Sequence, residues 1–208
     1  MDVTELFDVI RSSDRLFVQQ LFRPLLNVYT ISTVGPDGRS PARELCHVRQ
    51  KRMRIRERVD FYADEADRVP VLHIQARTVF EVGGRYDVRL PDGRPIGMLQ
   101  KQFARSLVRS SWQVLDLDGR ELASVQEQSM FVALLRRLWD FIPFVESFPN
   151  LIPFHFDILA GGRRIGEYRR AVGLRDRYLL ILDGDPQRHL DRLLAMALTI
   201  ALDALQDR

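Results

Sequence analysis

Hydrophobic residues follow two different periods along this chain. Between Leu190 and Leu205 (LDRLLAMALTIALDAL) they cover almost every face of a helix, and the polar Arg192, Thr199 and Asp203 fall on one narrow line. A surface helix carries a broad polar face, so this one needs protein around it. The run is shorter than the roughly 18 to 20 apolar residues that span a bilayer, and Asp203 inside it would be costly in lipid. Elsewhere the period is two. The segments YDVRLPDGRPIGML (86–99) and WQVLDLDGRELASV (112–125) match position by position, with Tyr86 against Trp112, Asp92-Gly93-Arg94 against Asp118-Gly119-Arg120, and Gly97 against Ala123. Alternation, an Asp-Gly turn and alternation again is the pattern of a β-hairpin, because glycine supplies the positive φ of a tight turn. A third copy at 154–168 is shifted by one residue before its turn, and a weaker fourth lies at 28–39. RMRIRERVDFYAD (52–64), VPVLHIQAR (69–77) and DRYLLILDGD (176–185) alternate as well.

These runs predict roughly ten to twelve antiparallel strands, and closing them into a barrel removes exposed edges. The barrel interior supplies the enclosure the helix needs. The expected class is therefore mainly β (α+β), a closed antiparallel barrel around a hydrophobic C-terminal helix. Nothing in 208 residues marks a boundary, so one domain is expected over 1–208, with a helical and Pro/aromatic-rich insertion at 130–153. In that stretch Phe131, Leu134, Leu135, Leu138, Trp139 and Ile142 keep helical spacing before an apolar, proline-containing loop with Phe144 and Phe148. Asp203 is expected at the open end of the barrel, paired with an arginine or backbone amides, since an uncompensated buried charge costs several kcal/mol.

Charge changes the picture at one place. The net charge is +3, but residues 49–58 (RQKRMRIRER) hold six cations and one anion. Period-two alternation puts Met53, Ile55, Val59 and Phe61 on one face and Arg52, Arg54, Arg56 and Arg58 on the other, a ribbon of guanidinium groups on the outside. Lys101, Arg105 and Arg109 would add a second basic row if that stretch were helical. Cys46, the single cysteine, allows neither an internal disulfide nor a cysteine metal cluster, and reads as a small apolar filler. The opening MDVTELFDVIRSSD lacks a basic stretch followed by an apolar one, so a cytoplasmic protein is expected, at most peripheral at the inner membrane face.

An opening strand DRLFVQQ (14–20), repeated Asp-Gly-Arg hairpins, the strand DRYLLILDGD and the final DRLLAMALTIALDAL resemble the tubby C-terminal-like superfamily, specifically its LURP-one-related and phospholipid-scramblase-like branch. The resemblance spans nearly the whole chain and implies a twelve-stranded barrel threaded by a hydrophobic helix. It also implies a calcium-binding segment near DGDPQRHLD (183–191). The spacing speaks against carrying that over, because a loop counted from Asp183 has Arg188 at position six and Leu194 at twelve, where an EF-hand type has Gly and Glu. Helix capping by these acids is the simpler role, and no metal or cofactor is expected.

No enzyme signature appears: the four histidines lack ligand spacing, and there is no phosphate-cradling glycine loop, GxSxG or HExxH. The leading expectation is a non-enzymatic domain that binds anionic phospholipid headgroups or a membrane surface through Arg52, Arg54, Arg56 and Arg58. The alternative is a protein-interaction or structural module, self-associating or holding a protein partner through Leu135, Leu138, Trp139 and Phe144. Nucleic acid is not the expected partner, since no element that could read a groove accompanies the basic strand.

Overall fold

A computed structural model describes residues 2–23, 26–51, 58–66, 68–77, 84–103, 110–127, 155–171 and 177–205. The chain opens with helix α1 (Val3–Ser12), follows with twelve strands and closes with helix α2 (Arg192–Ala204). The strands are β1 (Arg15–Arg23), β2 (Leu26–Val34), β3 (Pro41–Lys51), β4 (Arg58–Tyr62), β5 (Pro70–Ala76) and β6 (Arg85–Arg89), then β7 (Pro95–Phe103), β8 (Ser110–Leu115), β9 (Glu121–Glu127), β10 (His155–Ala160), β11 (Arg163–Arg170) and β12 (Arg177–Ile181). Each pairs antiparallel with its neighbours in sequence, and β12 returns to β1 through Phe17 opposite Leu179 to close the barrel. The expected fold class is the one found.

The hairpin repeat has a physical counterpart. Gly93 and Gly119 take φ of 85° and 82°, the left-handed conformation that a side chain disfavours. The Asp92 carboxylate accepts from the Arg94 amide, and the Asp116 carboxylate from the amides of Asp118 and Arg120, fixing both turns. Tyr86 and Trp112, equivalent positions of the repeat, face each other across β7 with ring centroids 5.8 Å apart. A register shift recurs at the same point of all three hairpins, between Val88 and Arg89, Val114 and Leu115, and Ile158 and Leu159, and the third copy differs in its shorter turn, where Gly161 and Gly162 alone separate Ala160 from Arg163.

Helix α2 fills the barrel. Every residue from Arg192 to Leu202 is buried, and Ile31, Val48, Ile74, Val88, Leu99, Val114, Ile158 and Leu180 close around it from the strands. Gly97 is small for this reason: a Cβ there would lie 2.7 Å from Leu194 Cδ1 and 2.9 Å from the Leu115 carbonyl. Because the strands form a simple up-and-down meander, the barrel has an entry end, where α2 begins and the Asp-Gly turns lie, and an exit end, where α2 stops. Helix α1 sits at the entry end with Leu6 and Ile10 fully buried beside α2. The sequence reading missed it, although Asp2 as N-cap with Val3, Leu6, Phe7 and Ile10 at helical spacing is a recognisable signal. The helical condition for a second basic row is not met at Lys101, which lies in β7 with Leu99 and Gly97 before it on the same inward face; Arg105 and Arg109 lie outside the described residues. Cys46 is fully buried, and burial pushes its thiol up to about 12, as suits an inert filler. Among the described residues, no helix is long and apolar enough to cross a membrane.

Candidate functional site

At the entry end, charges are consumed by the fold. Arg192, 2% exposed, donates to the Asp185 carboxylate at 2.7 Å and the Asp14 carboxylate at 2.6 Å, and to the carbonyls of Leu190 and Asp185. Burial pushes the Asp185 carboxyl up, but the Arg192 guanidinium and the amides of Leu190 and His189 outweigh it and hold it below the usual carboxylate range. Arg188, in a left-handed conformation at φ 54°, donates to the carbonyls of Arg11 and Ser12 at 2.5 and 2.9 Å and so caps the C-terminus of α1. Asp191 caps α2, accepting from the Leu193 amide at 2.7 Å. Asp183 pairs with Arg15, whose hydrogen bond holds that carboxyl low. Asp183 and Asp185 thus serve as structural pairs and caps, and no metal-holding group of His, Cys, Asp and Glu occurs among the described residues. Beside Asp183 an open cleft of about 410 Å³ runs along Asp14, Arg15 and the Gly35–Gly38 loop.

At the exit end the barrel interior turns polar. Gln50 donates to the Ala204 carbonyl at 3.1 Å, and the buried Lys101 ammonium donates to the Leu205 carbonyl at 3.2 Å. These are carbonyls that a helix C-terminus leaves without intrahelical donors, and a cation there also meets the negative end of the helix dipole. Tyr29 donates its hydroxyl to Asp203 at 2.6 Å and helps hold that carboxylate near the open end. Thr199, the remaining polar residue of the stripe, donates to the Met196 carbonyl within its own helix. Trp112 Nε1 and the Tyr168 hydroxyl are buried in this layer without a hydrogen-bond partner.

Of the residues read from sequence as a headgroup site, Arg58 is described. It stands on the outer face of β4, where Val59 and Phe61 turn inward, and pairs with Asp60 at 2.6 Å. Arg49, on the outer face of β3 at the same end, donates to the Glu65 carbonyl at 3.1 Å. Arg52, Arg54 and Arg56 lie outside the described residues. So do Leu135, Leu138, Trp139 and Phe144, and with them the rest of 130–153; the strands on either side, β9 ending at Glu127 and β10 beginning at His155, are paired neighbours. Lys101 and Gln50 escaped the sequence reading as functional positions. Period-two counting from Leu99 and Val48 would have turned both inward, toward the helix end.

No curated protein sequence matches the chain. A crystal structure of a LolA superfamily protein from Nitrosomonas europaea aligns over 86% of this chain and 88% of its own at 9% identity, with a TM-score of 0.21, a likeness too slight to carry any argument. The sequence profile of the LURP-one-related family matches residues 45–203, from the middle of β3 to the last turn of α2, and the chain belongs to that family.

Proposed function

We propose that this LURP-one-related barrel is a non-catalytic module that binds anionic phospholipid headgroups at a membrane surface, as a peripheral protein. The observation that carries the reading is the filled interior: α2 occupies the space a ligand cavity would need, so recognition falls to the outer surface. The densest positive charge of the chain, residues 49–58, leaves β3 and enters β4 at the exit end, with Arg49 and Arg58 on outward faces. A cation near an acidic bilayer contributes about 1 kcal/mol, which makes a cluster of six sufficient for reversible attachment.

Co-sedimentation with vesicles of phosphatidylcholine and phosphatidylserine across a salt series tests this. Binding is expected to weaken steeply with salt, because the Debye length shrinks from about 10 Å at 0.1 M to about 3 Å at 1 M. Changing Arg52, Arg54, Arg56 and Arg58 together to glutamine is expected to lower affinity by at least two orders of magnitude, at about fivefold per cation. Absence of binding to acidic vesicles at low salt would remove the proposal.

A further inference from the structure

We infer that the outer face of β4, β5 and β6 around His73 binds a phosphate diester, as in the headgroup of an anionic phospholipid, and that His73 takes up a proton from solvent as the anion binds. This rests on the lipid-binding reading above and adds to it a named surface and a pH dependence. Cross-strand register builds the face. Asp60 on β4 stands opposite His73 on β5, and His73 opposite Arg89 on β6; one row on, Arg58 stands opposite Gln75 and Gln75 opposite Asp87. Val59, Phe61, Ile74 and Val88 alternate with them into the core, so these six polar side chains lie on the outside of the barrel. Arg49 on β3, opposite Asp60, joins the first row to the basic stretch 49–58.

The charges around His73 do not balance. Asp60 accepts from Nε of Arg58 at 2.6 Å, while the buried Asp87 accepts from both Nε of Arg77 at 2.7 Å and Nη2 of Arg89 at 2.9 Å. One carboxylate shared by two guanidinium groups leaves a positive charge over. His73 lies half-buried among these groups. His47 and His155 meet the carboxylates of Glu44 and Glu167 at 2.5 and 3.0 Å, whereas the His73 imidazole has no hydrogen-bond partner among the described residues. Burial, then Arg58 and Arg89, hold its proton affinity below the ordinary histidine range, with Asp60 acting the other way. A phosphate oxygen over this face accepts from the imidazole N–H and from nitrogens that Asp60 and Asp87 leave unused, Nη1 and Nη2 of Arg58 and Nε of Arg89. Its negative charge offsets the repulsion that opposes a further cation between Arg58 and Arg89, so the imidazole gains a proton. By linkage, a ligand that raises the proton affinity of His73 binds more tightly as pH falls.

The test pairs an affinity with a titration. Between about pH 7.5 and about pH 5.5, affinity for vesicles of phosphatidylcholine and phosphatidylglycerol, whose headgroup charge is constant over this range, is expected to rise about fivefold, the effect of one added cation. His73→Gln removes no hydrogen bond; it is expected to melt like wild type, keep the affinity seen at the higher pH and lose most of the rise. Arg89→Gln is expected to lower affinity about fivefold at both pH values. In proton NMR the imidazole signal missing from His73→Gln reports its titration, and the soluble headgroup glycerophosphoglycerol is expected to move the midpoint up. A midpoint that moves shows that the free diester suffices; a midpoint that stays, with the vesicle effect lost in His73→Gln, assigns the site to the headgroup in its bilayer. Equal pH dependence in wild type and His73→Gln, or an affinity constant with pH, overturns the His73 site while the lipid-binding reading stands. Wild-type protein that ignores acidic vesicles at low salt and both pH values removes that reading, and a His73 midpoint unmoved by the diester then removes the site as well.

Discussion

The two ends of the barrel hold similar residue types and use them differently. At the entry end arginine and aspartate meet each other: Arg192 is enclosed by Asp14 and Asp185, and Arg188 spends its donors on the last carbonyls of α1. At the exit end the buried donors serve α2, while Arg58 pairs with Asp60 on the outer face of β4 and Arg85 is exposed. The difference follows from where the helix needs partners. An N-terminus offers free amides and a positive dipole end, which recruit Asp191 and the acidic loop before it; a C-terminus offers carbonyls, which recruit Lys101 and Gln50. Charge used inside this way organises the fold, as at Arg192 and Lys101.

The comparison breaks most sharply at Arg192. Replacing it with alanine strands Asp185 in the interior without its cation, and loss of one partner of a buried pair costs about 3–5 kcal/mol. Thermal melting should drop by on the order of 10 °C in a domain of this size; a drop of only one or two degrees would mean that the entry-end network is ornamental to stability. At the exit end, Asp203→Leu leaves the Tyr29 hydroxyl without its acceptor at about 1–3 kcal/mol, whereas Asp203→Asn keeps an acceptor oxygen and is expected to cost less. A leucine variant as stable as wild type contradicts that order.

Acid is expected to weaken the entry end through Asp185. Asp185 has a depressed carboxyl in the folded protein, so its contribution is fully present above the ordinary carboxylate range and is lost as pH falls through its lowered value. Stability followed by chemical denaturation is expected to fall as pH drops below about 4, and to fall less in an Asp185→Asn variant. A wild-type decline no steeper than that of the variant would separate the acid sensitivity from this site. The smallest effect belongs to Arg94→Gln, an exposed pair on an entry-end turn, where less than about 0.5 kcal/mol is expected by melting. A larger change would show that turn charges are part of the structural network.

Much of the architecture is written locally. The Asp92-Gly93 and Asp118-Gly119 turns, the period-two strands and the all-round apolar α2 each follow from a few neighbouring residues, and together they led to the closed barrel. The site was far less legible. Arg58 was read on the outside of a strand and lies there, but its pairing with Asp60 depends on side-chain conformation rather than on pattern. Lys101, with two more basic residues at four-residue spacing, would join a surface row only in a helix; the strand that turns it inward is set by its pairing with β6 and β8.

By itself the sequence determined that the chain must wrap an apolar helix in paired strands, because burial and turn chemistry act over short stretches. The tertiary structure decided which end each charge occupies. Residues 58, 85 and 177 have no relation along the chain, and they come to one rim because an up-and-down barrel returns alternate connections to the same end. Coulomb interactions depend on distance in space, so a charge pattern of this kind exists only once the strands are paired.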